Sequence, residues 1–477
     1  MQYSIVNYKN VLEANSDLRI DGEYFKPDFL SAEKRIEKIH FALLENIADV
    51  KGGKRLPLGE TFADDGIPYI RAEDIRMFAD YASAPKIALE LHKKLKNYQT
   101  KYNDVLLTIV GNSIGDAGIV KFTLDKCNLT ENCAKLVNLK NILAEYLFTF
   151  LLSHYGQNQI HREKVGTAQP KLALVRIRKF KIPILTNEFQ NTIAKVINTA
   201  NVKINDSNQS YSCAEQILLS ELGLLDWKLK HRLSFVRSFS DTKSADRIDA
   251  EYFQPMYGEV IRAISYSGDF SNLGDLVSIK KCVEPGSEAY QESGIPFLRV
   301  SNLSRFGINN DNQKYLSEEL YEQLKQHQPQ KGEILLSKDA TPGIAFYLKD
   351  EPRKMIPSGG ILRLTVKDST KILPEYLTLV LDSILVQKQI ERDTGGSIIN
   401  HWLVDQVKST LIPILPVTKQ EQISEKVNDS FCNRDLAKRL LDIAKRGVEL
   451  AIEKNEESAE KWINSEVNKL GVKDARL

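Results

Sequence analysis

The chain has 477 residues, of which 42% are hydrophobic, and its 65 Lys and Arg against 63 Asp and Glu give a net charge of +2. This length predicts about two to four globular domains. The balanced charge excludes a general polycationic coat for nucleic acid, so any such contact must come from local basic patches.

The cysteine content and the hydropathy pattern bear on where the protein works. The five cysteines are scattered without a CxxC pair, which argues against a disulfide framework and against a zinc knuckle. The amino terminus lacks an apolar signal segment, and the most apolar stretch is far shorter than the roughly 18–20 residues that span a bilayer. We therefore expect a soluble, cytoplasmic protein with no membrane partner.

A nine-residue segment near the start of the chain occurs a second time. RIDGEYFKP begins at Arg19 and RIDAEYFQP begins at Arg247, with seven of nine residues identical at an offset of 228. Five further pairs follow in the same order at offsets of 228 to 230, among them GIPYIR at 66–71 with GIPFLR at 294–299. The chain therefore contains an internal duplication. Either it is an old duplication without functional meaning, or its pseudo-symmetry serves a target with two parts.

Each copy begins with a front part, at about 40–185 and 270–415. Short apolar runs punctuated by Gly, Pro, Asn and Asp predict short strands of a compact mixed sheet. The segments 145–165 and 375–393 have helical spacing, and their length favours one helix each. Each front part is thus predicted to be an α+β domain.

Each copy ends with a long stretch without proline. In the first copy, apolar and small residues recur at spacings of four and three, which is a heptad seam: Ile193, Ile197, Ala200, Ile204, Ser207, Tyr211, Ala214 and Leu218. The second copy keeps this register with two polar interruptions: Ile423, Val427, Ser430, Arg434, Ala437, Leu441, Ala444 and Val448. The pattern predicts two long helices that pack antiparallel; the alternative is two independent surface helices.

The elements together predict an α+β protein with a pseudo-two-fold tandem repeat. Two α/β domains are expected to be separated by two long antiparallel coiled-coil helices. We place the first domain at 1–186, the first spacer helix at 187–223, the second domain at 224–416, and the second spacer helix with a C-terminal tail at 417–477.

The order of these pieces resembles the specificity subunit of type I restriction–modification systems. The RIDxEYFxP start and the GIPYIR and GIPFLR strands fit that family, and the run at 394–423 with its GGS turn and IPxxP exit resembles it most. The resemblance covers nearly the whole chain twice. The first copy departs from the pattern, because the segment IPIL at its end lacks an equivalent of Pro416. The two copies therefore need not read DNA equally well.

The resemblance implies a non-catalytic protein with two target-recognition domains, each of which reads one half of a split duplex sequence. It also implies helices that act as a ruler and bind methyltransferase subunits, two per chain, with a restriction–translocation subunit joining the complex. No cofactor is expected on this chain, since AdoMet, ATP and Mg²⁺ would belong to those partners.

The motifs of an active site are missing from the sequence. No NPPY or DPPY tetrapeptide occurs, GNSIGDAG at 111–118 matches neither dinucleotide nor phosphate-loop patterns, and the seven histidines make no HExxH pair. Two alternatives stay open: a scaffold protein of a defence complex that does not read DNA, and a stand-alone DNA enzyme with a cryptic site.

Specific DNA binding needs Lys and Arg for phosphates and Arg, Lys, Asn, Gln, Ser, Thr or His for base edges. Loops of the first copy carry such residues, with Arg162 beside them: Lys51, Lys54, Arg55, Arg71, Asn112, Ser113, Lys164, Thr167, Gln169 and Lys171. Loops of the second copy do so too, with Arg392 beside them: Lys280, Lys281, Arg299, Ser301, Asn302, Lys338, Thr394, Ser397, Asn400 and His401. The alternative for any one of them is a solvated charge or a turn residue. The loops 164–171 and 394–401 occupy equivalent places, and we expect each to enter a DNA groove.

Overall fold

The computed structural model describes residues 4–14, 19–75, 84–121, 127–166, 170–227, 230–266, 268–310, 312–394 and 401–471. The chain divides into two compact units. Unit 1 comprises Met1–Asn205 with Asp435–Leu477, and unit 2 comprises Asp206–Arg434.

The first half of the chain alternates short strands and short helices before one long helix. Its strands are Phe41–Leu43 (β1), Asp49–Gly52 (β2), Ile67–Ile70 (β3), Lys86–Ile87 (β4), Val105–Thr108 (β5), Ala117–Ile119 (β6), Asn128–Leu129 (β7), Cys133–Val137 (β8) and Lys181–Pro183 (β9). Its helices are Tyr8–Ala14 (α1), Pro27–Ile36 (α2), Leu44–Ile47 (α3), Leu89–Lys94 (α4), Ala144–Leu152 (α5), His154–Glu163 (α6), Leu174–Ile177 (α7) and Asn187–Glu221 (α8).

The second half repeats this succession. Its strands are Asp269–Asn272 (β10), Val277–Lys281 (β11), Ile295–Leu298 (β12), Leu303–Ser304 (β13), Gly307–Ile308 (β14), Lys314–Leu316 (β15), Glu333–Ser337 (β16), Ala345–Tyr347 (β17), Ile356–Pro357 (β18), Ile361–Val366 (β19) and Leu411–Ile414 (β20). Its helices are Phe239–Ala245 (α9), Pro255–Tyr266 (α10), Leu273–Leu276 (α11), Glu318–Leu324 (α12), Pro374–Asp382 (α13), Ile384–Thr394 (α14), Val404–Ser409 (α15), Val417–Glu453 (α16) and Glu456–Lys469 (α17).

The sheets of the two units have the same topology, which confirms the duplication at the level of the fold. Unit 1 has a four-stranded antiparallel sheet in the order β2-β8-β5-β6 and a three-stranded mixed sheet in the order β4-β3-β7. Unit 2 has β11-β19-β16-β17 and β15-β12-β18 in the same roles. Apolar side chains cover both faces of the central strands β5 and β16, which are buried along their whole length.

Each unit has its own hydrophobic core, in which a buried helix lies against the four-stranded sheet. In unit 1 that helix is α5, whose Tyr146, Phe148 and Phe150 are completely buried. The Tyr146 hydroxyl donates to the Pro183 carbonyl at 2.9 Å, and Tyr376 of α13 donates in the same way to Pro413 at 2.8 Å. Burial of each aromatic side chain stabilises its unit by about 1.5–3 kcal/mol.

The prediction of a single helix over 145–165 and over 375–393 is wrong, because each segment forms two helices. The break falls at Ser153 and Ser383, which both have extended backbone conformations. The Ser153 hydroxyl accepts a hydrogen bond from the Gly156 amide and caps α6. A single serine in an otherwise helical pattern is a weak stop signal, so the spacing alone did not reveal the break.

The heptad seam predicted for α8 is confirmed, because all eight of its positions are buried. In unit 2, Ser207 of α8 hydrogen-bonds Ser430 of α16 at 3.0 Å, while Glu221 pairs with Lys419 at 2.8 Å. Residues later in α8 therefore meet residues earlier in α16, which makes the two helices antiparallel. In unit 1, the seam of α8 packs against Ala437, Leu440, Ala444 and Val448 of α16 within the same core.

The tail after α16 folds into a separate helix in unit 1. Asn455 caps α17 by accepting the Ser458 amide at 2.8 Å, and Ala459, Ile463 and Val467 bury one face at helical spacing. A Cβ added at Gly447 of α16 would lie 2.5 Å from the Cδ1 atom of Ile463. The glycine thus permits the close approach of α16 and α17.

Replacing Gly447 by leucine is expected to destabilise unit 1 by about 1–3 kcal/mol, because the packed core cannot accept the added atoms without strain. The loss is measured as faster hydrogen exchange in peptides from α17 of the full chain. Leucine at the exposed Lys438 of the same helix is the matched control, and equal exchange in the two variants would contradict the packing described.

Of the helices in the described ranges, none combines the length and the apolarity that crossing a bilayer demands.

Candidate nucleic-acid interface

In unit 1 two of the predicted loops lie side by side. The turn after β5 carries Asn112 and Ser113, and the loop between α6 and α7 carries Lys164 and Lys171. Backbone hydrogen bonds join them, from Leu172 to the Ile109 carbonyl at 2.8 Å and from Gly111 to the Pro170 carbonyl at 3.1 Å. Asn112, Lys164 and Lys171 are exposed and Ser113 is half-buried. The structure therefore brings these four candidates to one edge of the unit.

Unit 2 repeats this arrangement with different side chains. The turn after β16 carries Lys338 and Asp339, and the Trp402 amide donates to the Lys338 carbonyl at 2.8 Å. The Asp339 carboxylate lies 2.8 Å from His401 Nδ1 and 2.5 Å from Lys338 Nζ. Lys338 and His401 thus meet at the position where unit 1 has Ile109 and Lys171.

The turns after β5 and β16 need a glycine, since Gly115 and Gly343 have φ values of +102° and +92°. Gln157 and Gln387 hold these turns by donating to the glycine carbonyls at 3.0 and 3.1 Å. The same hydrogen bond in both units fixes the distance between the turn and the helix that carries the glutamine, which is α6 in unit 1 and α14 in unit 2.

In unit 2 an acid that was not among the candidates, Asp339, contacts two of the basic candidates. Burial raises the pKa of Asp339, but hydrogen bonds from Lys338 and His401 outweigh it and hold that pKa below its usual value. The carboxylate is therefore ionised at neutral pH and offsets part of the positive charge. Its only sequence signal is its place directly after Lys338.

A second group of candidates lines an open cleft of about 320 Å³ in unit 1. Arg55 and Arg71 lie on its walls with the aromatic rings of Phe62 and Tyr69. Each arginine has an acidic partner: Arg55 pairs with Glu131 at 2.5 Å, and Arg71 pairs with Asp74 at 3.0 Å. Both cations are therefore partly neutralised before any phosphate approaches. Lys54, just before Arg55, is exposed.

The equivalent arginine of unit 2, Arg299, has different surroundings. Asn302 takes the place of Asp74, and its amide oxygen accepts the Arg299 backbone N–H at 3.2 Å. No carboxylate of the described residues lies within ion-pair distance of the Arg299 guanidinium, whose buried Nε lacks a hydrogen-bond partner. Ser301 beside it is exposed. Arg299 thus differs from Arg71, whose guanidinium pairs with Asp74.

Lys51 and Lys280 occupy equivalent places on β2 and β11, at the first edge of each four-stranded sheet. Lys51 lies 3.4 Å from Asp49, and Lys280 lies 3.5 Å from Glu333. About half of each lysine side chain is exposed, and Lys281 is exposed as well. These lysines are available to phosphates, but they lie on the sheet rather than on the paired loops.

Three sequence-based expectations need correction, because the side chains are buried and bonded internally. Asn302 is fully buried and holds the turn after β12 through the Arg299 amide and Asn309. Thr394 is 7% exposed and donates to the Ile390 carbonyl within α14. Arg162 is 6% exposed and pairs with Glu33 at 2.6 Å. In this structure none of the three presents its polar group to a ligand.

Four other candidates lie outside the described residues, namely Thr167, Gln169, Ser397 and Asn400. Nowhere in the described ranges do three or more His, Cys, Asp or Glu side chains come together as a metal site requires.

The chain was compared with protein families and with solved structures. The model of the type I restriction modification DNA specificity domain matches twice, at residues 37–209 and 269–442, which together span well over half of the chain. Among solved structures, the chain is similar to the type I S subunit from M. genitalium (13% identity, 89% of this chain and 96% of that one, TM-score 0.36). It is also similar to the HsdS subunit from Thermoanaerobacter tengcongensis (16% identity, 91% and 97%, TM-score 0.26).

The two family matches cover the sheets of both units and about the first two thirds of α8 and α16. The chain belongs to the family of type I restriction modification DNA specificity domains, of which it carries two copies in tandem.

Proposed function

We propose that this chain is the specificity subunit of a type I restriction–modification complex and that each unit reads one half of a bipartite duplex target. The observation that carries the proposal is the paired-loop arrangement, which recurs in both units next to the central strand with different side chains. Two units with the same backbone arrangement but different polar side chains can recognise two half-sites of different sequence.

The domain limits of the proposal follow the sequence: recognition domains at 1–186 and 224–416, and spacer segments at 187–223 and 417–477. A helix of the length of α8 is about 50 Å long at 1.5 Å per residue, so it can act as a ruler along the duplex. The exposed Lys and Glu beside the seam make α8 and α16 the candidate docking site for two methyltransferase subunits. A restriction–translocation subunit would join that complex.

Catalysis would belong to the partners. The chain would supply recognition only, in the cytoplasm, and AdoMet, ATP and Mg²⁺ would bind to the methyltransferase and translocation subunits. The purified chain incubated alone with duplex DNA and AdoMet should transfer no methyl group, and turnover would support the rival of a stand-alone enzyme.

The direct test is selection from duplexes with a randomised segment of about 30 base pairs, a length of about three helical turns, with the chain in complex with its methyltransferase subunits. We expect enrichment of two short blocks of specified bases separated by a fixed number of unspecified ones. Enrichment of no sequence in repeated rounds would favour the scaffold that does not read DNA.

Substitution of the paired loops should affect one half-site at a time. Lys171→Ala should weaken base preference only in the half read by unit 1, and His401→Ala only in the half read by unit 2. A lost base contact costs about 1–3 kcal/mol of discrimination, whereas a lost phosphate contact weakens binding to all sequences and lowers the salt slope by about one. Each variant is the control for the other, and the same selection measures both. Equal weakening of both halves in either variant would contradict base readout by these loops.

A further inference from the structure

The repeated RIDxEYF segment is not part of the paired loops, yet it contacts the base of one loop in each unit. In unit 1 the Arg19 guanidinium donates through Nε and Nη2 to both oxygens of Asp21, at 2.8 and 2.9 Å. Its remaining nitrogen, Nη1, donates to the carbonyls of Arg162 at 2.9 Å and Lys164 at 3.4 Å. Those carbonyls lie at the end of α6, where the loop to Lys171 begins.

Unit 2 reproduces this contact independently. The Arg247 guanidinium donates to both oxygens of Asp249 at 2.8 and 3.0 Å. Its Nη1 reaches the carbonyls of Arg392 at 3.5 Å and Asp393 at 3.4 Å, in the last turn of α14. In the sequence, His401 follows Asp393 by eight positions.

The segment is itself held rigidly. In unit 1 Asp21 accepts the Tyr24 amide at 3.0 Å, and the Tyr24 ring lies 4.7 Å from the Arg19 guanidinium and 4.2 Å from that of Arg162. In unit 2 Asp249 accepts the Tyr252 amide at 3.0 Å, and the Tyr252 ring lies 4.5 Å from the Arg247 guanidinium. The acid fixes the arginine, and the ring stacks on it.

A contact of this kind satisfies carbonyl groups at the C-terminal end of a helix. The last carbonyls of α6 have no partner within the helix, which ends at Glu163, and the helix dipole makes them attractive to a cation. A planar guanidinium that is already fixed by a carboxylate can bind two such carbonyls with a set geometry, which a flexible lysine cannot do. The direction in which the chain leaves α6 is then determined.

We propose that Arg19 and Arg247 are positioning residues that fix the C-terminal ends of α6 and α14, and through them the proposed DNA-reading residues Lys164 and Lys171 in unit 1 and His401 in unit 2. The inference rests on the proposed function. It explains why the segment occurs once per unit with its Arg, Asp and Tyr retained, while the loops that it supports differ in sequence. A displacement of about 1 Å at the base of a loop is enough to spoil a bidentate base contact at its tip.

The competing explanation is that the segment only anchors the chain to its unit. Arg19 and Arg247 are largely buried, with 14% and 26% of their side chains exposed, so their removal also affects stability. A purely structural role predicts a loss of overall DNA binding that follows the loss of folded protein. A positioning role predicts a loss of base preference confined to one half-site.

The test uses the selection from randomised duplexes with the full chain in its methyltransferase complex. Arg19→Ala should reduce enrichment of the preferred bases at least about tenfold in one block, the equivalent of one well-placed contact, and leave the other block unchanged. Arg247→Ala should do the reverse. Arg35→Ala, which removes an exposed arginine from α2 of unit 1, should leave both blocks unchanged.

A milder variant keeps the test decisive if Arg19→Ala does not fold. Asp21→Asn retains the shape of the side chain but removes the ion pair with Arg19. It should cause a smaller loss of base preference in the same block. Unchanged blocks, or equal loss in both blocks, in the folded variants would overturn the positioning role. If the unmodified chain enriches no sequence at all, the proposed function fails first, and this outcome is distinct from the other two.

Discussion

Replacing Arg363 by methionine is expected to lower the free energy of unfolding of unit 2 by about 3–5 kcal/mol, because it leaves a carboxylate buried without its main partner. Arg363 on β19 and Glu333 on β16 are 2% and 3% exposed. They make two parallel hydrogen bonds of 2.7 and 2.9 Å in the middle of the four-stranded sheet. The third nitrogen of Arg363 donates to the Gln326 carbonyl at 3.0 Å.

The comparison that isolates this ion pair is the double variant Glu333→Leu with Arg363→Met. Removal of both side chains leaves no buried carboxylate without its cation, although the Gln326 carbonyl and the Gln330 amide each lose a hydrogen bond. The double variant should therefore be clearly more stable than the single variant. Hydrogen exchange of peptides from β16 and β19 in the full chain measures both. A single variant that exchanges no faster than the double variant would show that Glu333 is satisfied without Arg363.

Replacing Asp382 by asparagine is expected to stabilise unit 2 at pH 8, by on the order of 3 kcal/mol, and to change little at pH 4. The side chain is buried at the end of α13. Its two oxygens accept the Ala345 amide at 3.0 Å and the Tyr211 hydroxyl at 3.2 Å. Burial raises the pKa of Asp382 to about 7, while Arg305 opposes the shift and Glu215 adds to it.

The sign follows from the direction of the shift. In the unfolded chain the carboxyl ionises near pH 3.8, but in the folded unit it holds its proton to about pH 7. Its contribution is therefore fully present only below about pH 3.8, is lost as the pH rises from there toward 7, and stays constant above that. Asparagine mimics the protonated acid and removes this loss. Unfolding of both proteins between pH 4 and pH 8 measures the effect, and parallel pH profiles would contradict a protonated Asp382.

The control for Asp382 is leucine, the residue that occupies the equivalent position 152 in unit 1. Leucine cannot accept the Ala345 amide or the Tyr211 hydroxyl, so unit 2 should be less stable with Asp382→Leu than with Asp382→Asn at every pH, through unsatisfied buried groups. Comparing the stabilities of the Asn and Leu variants separates the effect of removing the ionisable group from the effect of removing its hydrogen bonds.

The repeat and the periodicity of the chain were sufficient to predict the architecture. A shift of 228 to 230 residues reproduces both sheets, and the heptad spacing identified a seam whose eight positions in α8 are all buried. Both signals extend over many residues, so no single substitution hides them. The equivalence of the candidate loops in the two copies was predictable for the same reason, but their place beside the central strand was not, because it depends on hydrogen bonds between distant segments.

Features that depend on one contact across the fold were not predictable. Arg434 stands at a seam position because its guanidinium lies 3.7 Å from the Phe306 ring and donates to Asn208 at 2.7 Å. Phe306 belongs to the turn of the β13–β14 hairpin, far away in sequence. Asn302 and Thr394 have the residue types of base readers, but both are buried, and their polar groups bond within the turn after β12 and within α14. Only the three-dimensional arrangement distinguishes such residues from those that face a ligand.

The central claim is that two units of one chain read two separate parts of one duplex sequence. Sequencing of the methylated bases in the host genome, with and without this gene, tests the claim most directly. The account predicts a methylated motif of two specified blocks around a fixed spacer, present with the gene and lost without it. An identical set of methylated motifs in both strains, or an uninterrupted motif that disappears with the gene, would contradict it.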